Sequence, residues 1–117
     1  MARILIHASH GPEDPERASL PWIFGNNALV AGQEAAMMLS IEAVRIVTDG
    51  GADGIQHGDA PPLSELIRNF IDGGGKVWAC QSCTKPRGIT EVIEGVEIRG
   101  AVTVIEYLAS GAQSISF

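Results

Sequence analysis

The chain has 117 residues, 45% of them apolar and 19% charged, enough to bury most of its apolar surface around one core without disulfides or a metal, so a single domain over residues 1–117 is expected. Eight basic against fourteen acidic residues give a net charge of −6, the wrong sign for displacing counterions from nucleic acid or an anionic membrane. No apolar run nears the ~20 residues of a bilayer span, and the N-terminus turns polar before a signal-peptide core develops, which points to the cytoplasm.

In chain order, residues 3–8 are a β-rich run that predicts a first strand, broken by Ser9-His10-Gly11-Pro12-Glu13-Asp14-Pro15. Residues 9–21 read as a loop. Residues 27–40 are rich in Ala, Leu and Met, apolar on nearly every side, and predict a helix that needs covering. Residues 43–48, with β-branched Val44, Ile46 and Val47, predict a second strand that stops at Asp49-Gly50-Gly51. Pro61-Pro62 then open a helix in which Leu63, Leu66, Ile67, Phe70 and Ile71 fall at i, i+3, i+4, i+7 and i+8, ended by Gly73. Residues 76–79 predict a third strand running directly into Cys80-Gln81-Ser82-Cys83. A short helix is expected near 84–87, a helix or turn over 89–96 and a strand at 96–98. Ala101, Val104, Ile105 and Leu108 line one face of a last helix, and residues 114–117 finish as a strand.

Short apolar strands without clean polar alternation, separated by helices, indicate an α/β three-layer sandwich around a mostly parallel, roughly five-stranded sheet. Reactive groups collect at the carboxyl ends of such strands. Three segments are expected there: Ser9-His10-Gly11, Asp49-Gly50 and Cys80-Gln81-Ser82-Cys83.

Residues 73–90 hold no acidic side chain but contain Lys76, Lys85, Arg87 and both cysteines. Cys80 at a strand end, followed by a turn into a helix, would have free backbone N–H groups facing it, and these favour a thiolate. Lys85 and Arg87 act in the same direction if they fold back, and the thiolate is the nucleophile of sulfur chemistry. Cys80 is therefore the candidate catalytic residue. Read blandly, it is a small buried hydrophobe. His10 could reach the cysteines from its loop, whereas His7 reads as a packed core residue and His57 as a solvated one. One C-x-x-C supplies two of four zinc ligands, and the histidine spacing completes no familiar zinc pattern, so neither metal nor cofactor is expected. The aromatic-Cys-Gly-Pro-Cys surroundings of thioredoxin-type exchangers are absent, and no glycine-rich phosphate loop appears, so Asp49-Gly50-Gly51 reads as a turn.

The stretch Val77-Trp78-Ala79-Cys80-Gln81-Ser82-Cys83-Thr84-Lys85-Pro86-Arg87-Gly88-Ile89, with Gly95-Val96-Glu97-Ile98 and the ending Ser114-Ile115-Ser116-Phe117, resembles the DsrE/DsrF-like (DsrEFH) proteins, in particular their small YchN-like members. The opening Arg3-Ile4-Leu5-Ile6-His7-Ala8 and the turn Thr48-Asp49-Gly50 fit the same pattern. The resemblance implies a flavodoxin-like sheet, homo-oligomers (trimers or hexamers) and a strand-end cysteine that carries sulfur as a persulfide. It puts Cys80 at the sulfur-carrying position and Cys83 at that of an auxiliary cysteine present in some members. His10, Asp49, Lys85 and Arg87 would bind or support electrostatically. The implied partners are sulfur-donor and sulfur-acceptor proteins, and the implied activity is that of a sulfurtransferase or carrier. Two other readings stay open: a non-catalytic oligomeric module that binds a small anion or partner, and a thiol-disulfide redox protein using the C-x-x-C pair. Residues 27–40, with Trp22 in their approach, are candidate interface.

Overall fold

The computed structural model describes residues 1–117 and consists of β1 (Arg3–Ala8), α1 (Pro15–Val30), β2 (Glu34–Leu39), a 3-10 helix (Ile41–Val47), α2 (Leu63–Asp72), β3 (Lys76–Cys80), α3 (Gln81–Thr84), β4 (Val96–Arg99), α4 (Ala101–Ala109) and β5 (Gln113–Ser116). The strands form one all-parallel sheet in the order β4-β3-β2-β1-β5, as the α/β reading expects. No helix is long and apolar enough to cross a membrane.

Crossover handedness decides which face each helix covers. The path β1 to β2 to β3 steps one way across the sheet, so right-handed crossovers put α1, the 3-10 helix and α2 on one face. The return from β4 to β5 steps the other way and puts α4 alone on the opposite face. The core is correspondingly lopsided. Ile6, Ala8, Met37, Leu39, Val77 and Ala79 point into a 20-residue cluster under α1 and α2, whereas Leu5, Ala36, Met38 and Trp78 form a cluster of five with Tyr107 of α4, flanked by the partly buried Val104 and Leu108. In the larger cluster Phe70 is fully buried and packs edge-on to Trp22, ring centroids 5.6 Å apart, a burial that contributes roughly 1.5–3 kcal/mol.

Nine-residue α4 is too short to roof a five-stranded face. Its last turn is fastened at the amino ends of the strands: Tyr107 stacks edge-on to Trp78 at 5.4 Å and donates its hydroxyl to Glu34 Oε2 at 3.0 Å. Burial and that carboxylate push the Tyr107 phenol well above its ordinary range. The first turn of α4 lies toward the carboxyl ends, where a gap remains between the helix and the sheet.

The structure corrects the chain between residues 15 and 48. Residues 9–21 are not one loop, because α1 starts at Pro15, with Asp14 Oδ1 accepting from the Arg17 N–H at 3.0 Å and proline at the first helical position. Nor are residues 27–40 one helix: α1 ends at Val30, Gly32 turns the chain at φ 80°, and residues 34–39 are the central strand β2. Hydrogen bonding on both edges and cover on both faces override the helix propensity of Glu-Ala-Ala-Met-Met-Leu. Residues 43–48 are not a strand: 43–47 belong to the 3-10 helix, which buries Ala43, Val44, Ile46 and Val47, and Thr48 follows its end. Trp22 and residues 35–39 of β2 are buried core, the bland alternative for these candidate interface residues, whereas Val30 at the end of α1 is 87% exposed. The short helix expected near 84–87 lies at 81–84, directly after Cys80.

Candidate functional site

At the carboxyl end of the α4 face lies a cavity of about 350 Å³. Its floor comes from the sheet. In parallel pairing, Leu5 and His7 of β1 stand beside Ser114 and Ser116 of β5, and Leu39 pairs with Ala79, so Ser40 and Cys80 leave the sheet side by side. Its roof is the α4 face formed by Ala101, Val104, Ile105 and Leu108. The wall is apolar, relieved by hydroxyls, the His7 imidazole and the Cys80 thiol.

Cys80 ends β3, occupies the cap position of α3 and is half-buried on the α4 face. His7 Nε2 lies 2.6 Å from Ser40 Oγ, and burial lowers the imidazole pKa below its ordinary value of 6.5, so His7 is neutral at pH 7. Ser40 is held by its backbone as well: its N–H donates to the Ala8 carbonyl at 3.0 Å and its carbonyl accepts from Ala43 N–H at 3.1 Å. Arg99, the residue of β4 in register with Cys80, is tied to Glu97 Oε2 at 2.6 Å.

The other expected site residues fall elsewhere. Cys83 packs against the larger core, on the opposite side of the sheet from the Cys80 cavity, and both thiols are free. Arg87 does not fold back on the thiol. Its Nε and Nη2 donate to Glu42 Oε1 at 3.1 and 3.0 Å, and its Nη1 donates to the Cys83 carbonyl at 3.1 Å, which ties the end of α3 to the 3-10 helix. Hydrogen bonds from Arg45 and Arg87 lower the Glu42 pKa. Lys85 is exposed beside a separate depression with Gln81 and Thr84. His10 Nδ1 lies 3.0 Å from Glu13 Oε2, inside the loop after β1. Asp49 follows the 3-10 helix rather than a strand, so the expected second strand-end segment is corrected: the residues after β2 are Ser40 and Ile41. None of Cys83, His10, Asp49, Lys85 and Arg87 lines the cavity. No three His, Cys, Asp or Glu side chains converge anywhere in the chain.

His7 and Ser40 are what the sequence reading missed. The signal was present: in Arg-Ile-Leu-Ile-His-Ala the imidazole alternates with Ile6 and Ala8 and so belongs to the face of Leu5, and Ser40 is the first polar residue after the apolar run of β2.

Among known proteins, the DsrE/DsrF-like family matches residues 2–117. An uncharacterized protein of Methanopyrus kandleri, MK0008, is 31% identical over 116 residues, 97% of this chain and 93% of that protein. The uncharacterized protein MJ0760 of Methanocaldococcus jannaschii is 29% identical over 108 residues, 91% of this chain, which spans only 39% of that relative's length. The crystal structure of the ychN protein from E. coli superposes over the full length of both chains with a TM-score of 0.80 at 22% identity. That of MTH1491 from Methanobacterium thermoautotrophicum does so at 0.78 and 15%, a likeness of fold.

Proposed function

Because this chain belongs to the DsrE/DsrF-like family, which is associated with sulfur relay, we propose that it carries sulfur as a persulfide on Cys80, between a donor and an acceptor protein. The observation that supports this most is the position of Cys80 in the wall of the strand-end cavity, half-buried and free of any partner thiol. The Cys80 thiolate attacks the outer sulfur of a donor persulfide, R–S–SH. A Cys80–S bond forms as the donor S–S bond breaks, and R–S⁻ leaves with the electron pair and takes up a proton. An acceptor thiolate then attacks the outer sulfur of Cys80–S–SH by the same step, and the Cys80 thiolate leaves.

Against the thiol-disulfide alternative stands the placement of Cys83 on the other side of the sheet, held through the Arg87 contact to its carbonyl. Intact-mass spectrometry after incubation with a sulfane-sulfur donor tests the reading. The expected result is a gain of one sulfur atom that disappears in Cys80→Ser and persists in Cys83→Ser. Absence of the adduct from the unaltered protein rejects the carrier and favours a binding module.

A further inference from the structure

We propose that His7, acting through the Ser40 hydroxyl, is the base that takes the Cys80 proton. The three side chains come from three adjacent strands, β1, β2 and β3, and all line one cavity. His7 touches Ser40 at 2.6 Å. Ser40 and Cys80 directly follow the paired residues Leu39 and Ala79, on neighbouring strands about 4.8 Å apart, and both line the cavity, so the relay requires the thiol to turn toward the Ser40 oxygen.

The surroundings make His7 the only base for this step. Of the residues in the cavity wall, only His7 and Cys80 titrate; α4 contributes apolar side chains there and β5 contributes hydroxyls. The charges outside the wall are committed elsewhere. Arg87 is held by Glu42, Arg99 by Glu97 and His10 by Glu13, while Lys85 lines a different depression. A carrier that relied on neighbouring cations to ionise its thiol would hold at least one of them in the wall.

The proton path balances. With the imidazole in its Nδ1–H form, Ser40 donates its hydroxyl proton to His7 Nε2 and receives the thiol proton from Cys80, as Cys80 Sγ forms its bond to the incoming sulfur. His7 ends as imidazolium and releases that proton to solvent while the persulfide is held; in the second transfer the departing Cys80 thiolate takes up a proton from solvent. Its lowered pKa leaves it neutral, and hence competent to accept, at pH 7. The backbone at the relay is strained, with Ile41, just after Ser40, at φ 56°.

This inference deepens the sulfur-carrying reading and rests on it for its biological role, but its test needs no sulfur donor. In a Cys83→Ser background, the rate of Cys80 alkylation by iodoacetamide is followed from pH 5 to 10. His7→Asn and Ser40→Ala are each expected to slow alkylation at pH 7 by about tenfold or more, through loss of general-base assistance. Both variants should converge with the parent at pH 10, where the thiol ionises without help. A parent profile that superimposes on either variant's across the pH range overturns the proposal, as does a variant slowed equally at pH 7 and pH 10, the mark of structural damage alone. A separated profile in a protein that takes up no sulfur would keep His7 as the base and reject the carrier function instead.

Discussion

Ile41 holds φ at 56°, a left-handed conformation that a β-branched residue rarely adopts, and its side chain is 52% exposed, so packing does not repay the strain. The strain lets the chain leave the sheet immediately after Ser40, whose hydroxyl stays on His7 while residues 41–47 turn down into the larger core. Asparagine tolerates this conformation. Ile41→Asn is therefore expected to raise the unfolding free energy by about 1 kcal/mol in urea denaturation, with the alkylation profile of Cys80 unchanged. A loss of stability would mean that the isoleucine side chain contributes more than its backbone costs. At this scale Cys80 was legible in the sequence, because a thiol closing a β-rich run and opening a turn is a local pattern. The partner of His7 was not, since His7 and Ser40 are 33 residues apart and meet only through the β1–β2 pairing.

Among the helices, α3 is the shortest and the most dependent on a single side chain. Arg87 joins it to the 3-10 helix through Glu42 and to its own end through the Cys83 carbonyl. Arg87→Met is expected to free α3 locally: alkylation of Cys83, measured with Cys80→Ser, should quicken roughly tenfold. Cys80, measured with Cys83→Ser, should change by less than about twofold, because the guanidinium lies outside its cavity. The opposite pattern would restore Arg87 as electrostatic support for Cys80. The elements misread from sequence failed for identifiable reasons. β2 carries no alternation because both its faces are covered, so its composition imitates a helix. In residues 41–47 the β-branched residues suggested a strand, yet polar Glu42 and Arg45 recur at a spacing of three, the period of the 3-10 helix they form.

Across the whole molecule, the uneven cover of the sheet leaves α4 with Val102 and Ile105 at 69% and 62% exposure, three residues apart on one flank, Ile105 at the rim of the Cys80 cavity. Together with the homo-oligomers that the family resemblance implies, this makes a second copy of the chain the expected cover. Light scattering at micromolar concentration should give a trimer or hexamer, and Ile105→Asp should shift it toward monomer, since each copy loses on the order of 1.5–3 kcal/mol of burial. A monomeric unaltered protein would remove the assembly and leave the cavity open to solvent. The sequence by itself determined the elements whose signal is local: β1, the amphipathic α2, β3 running into Cys80, and α4, each carried by a periodicity or a stop within about ten residues. The tertiary structure decided which residues share a face. Crossover handedness set α4 alone against one side of the sheet, left the gap that became the cavity, and brought His7 and Ser40 into the same wall as Cys80 while placing Cys83 behind the sheet. Those are relations between strands distant in sequence, and no local pattern encodes them.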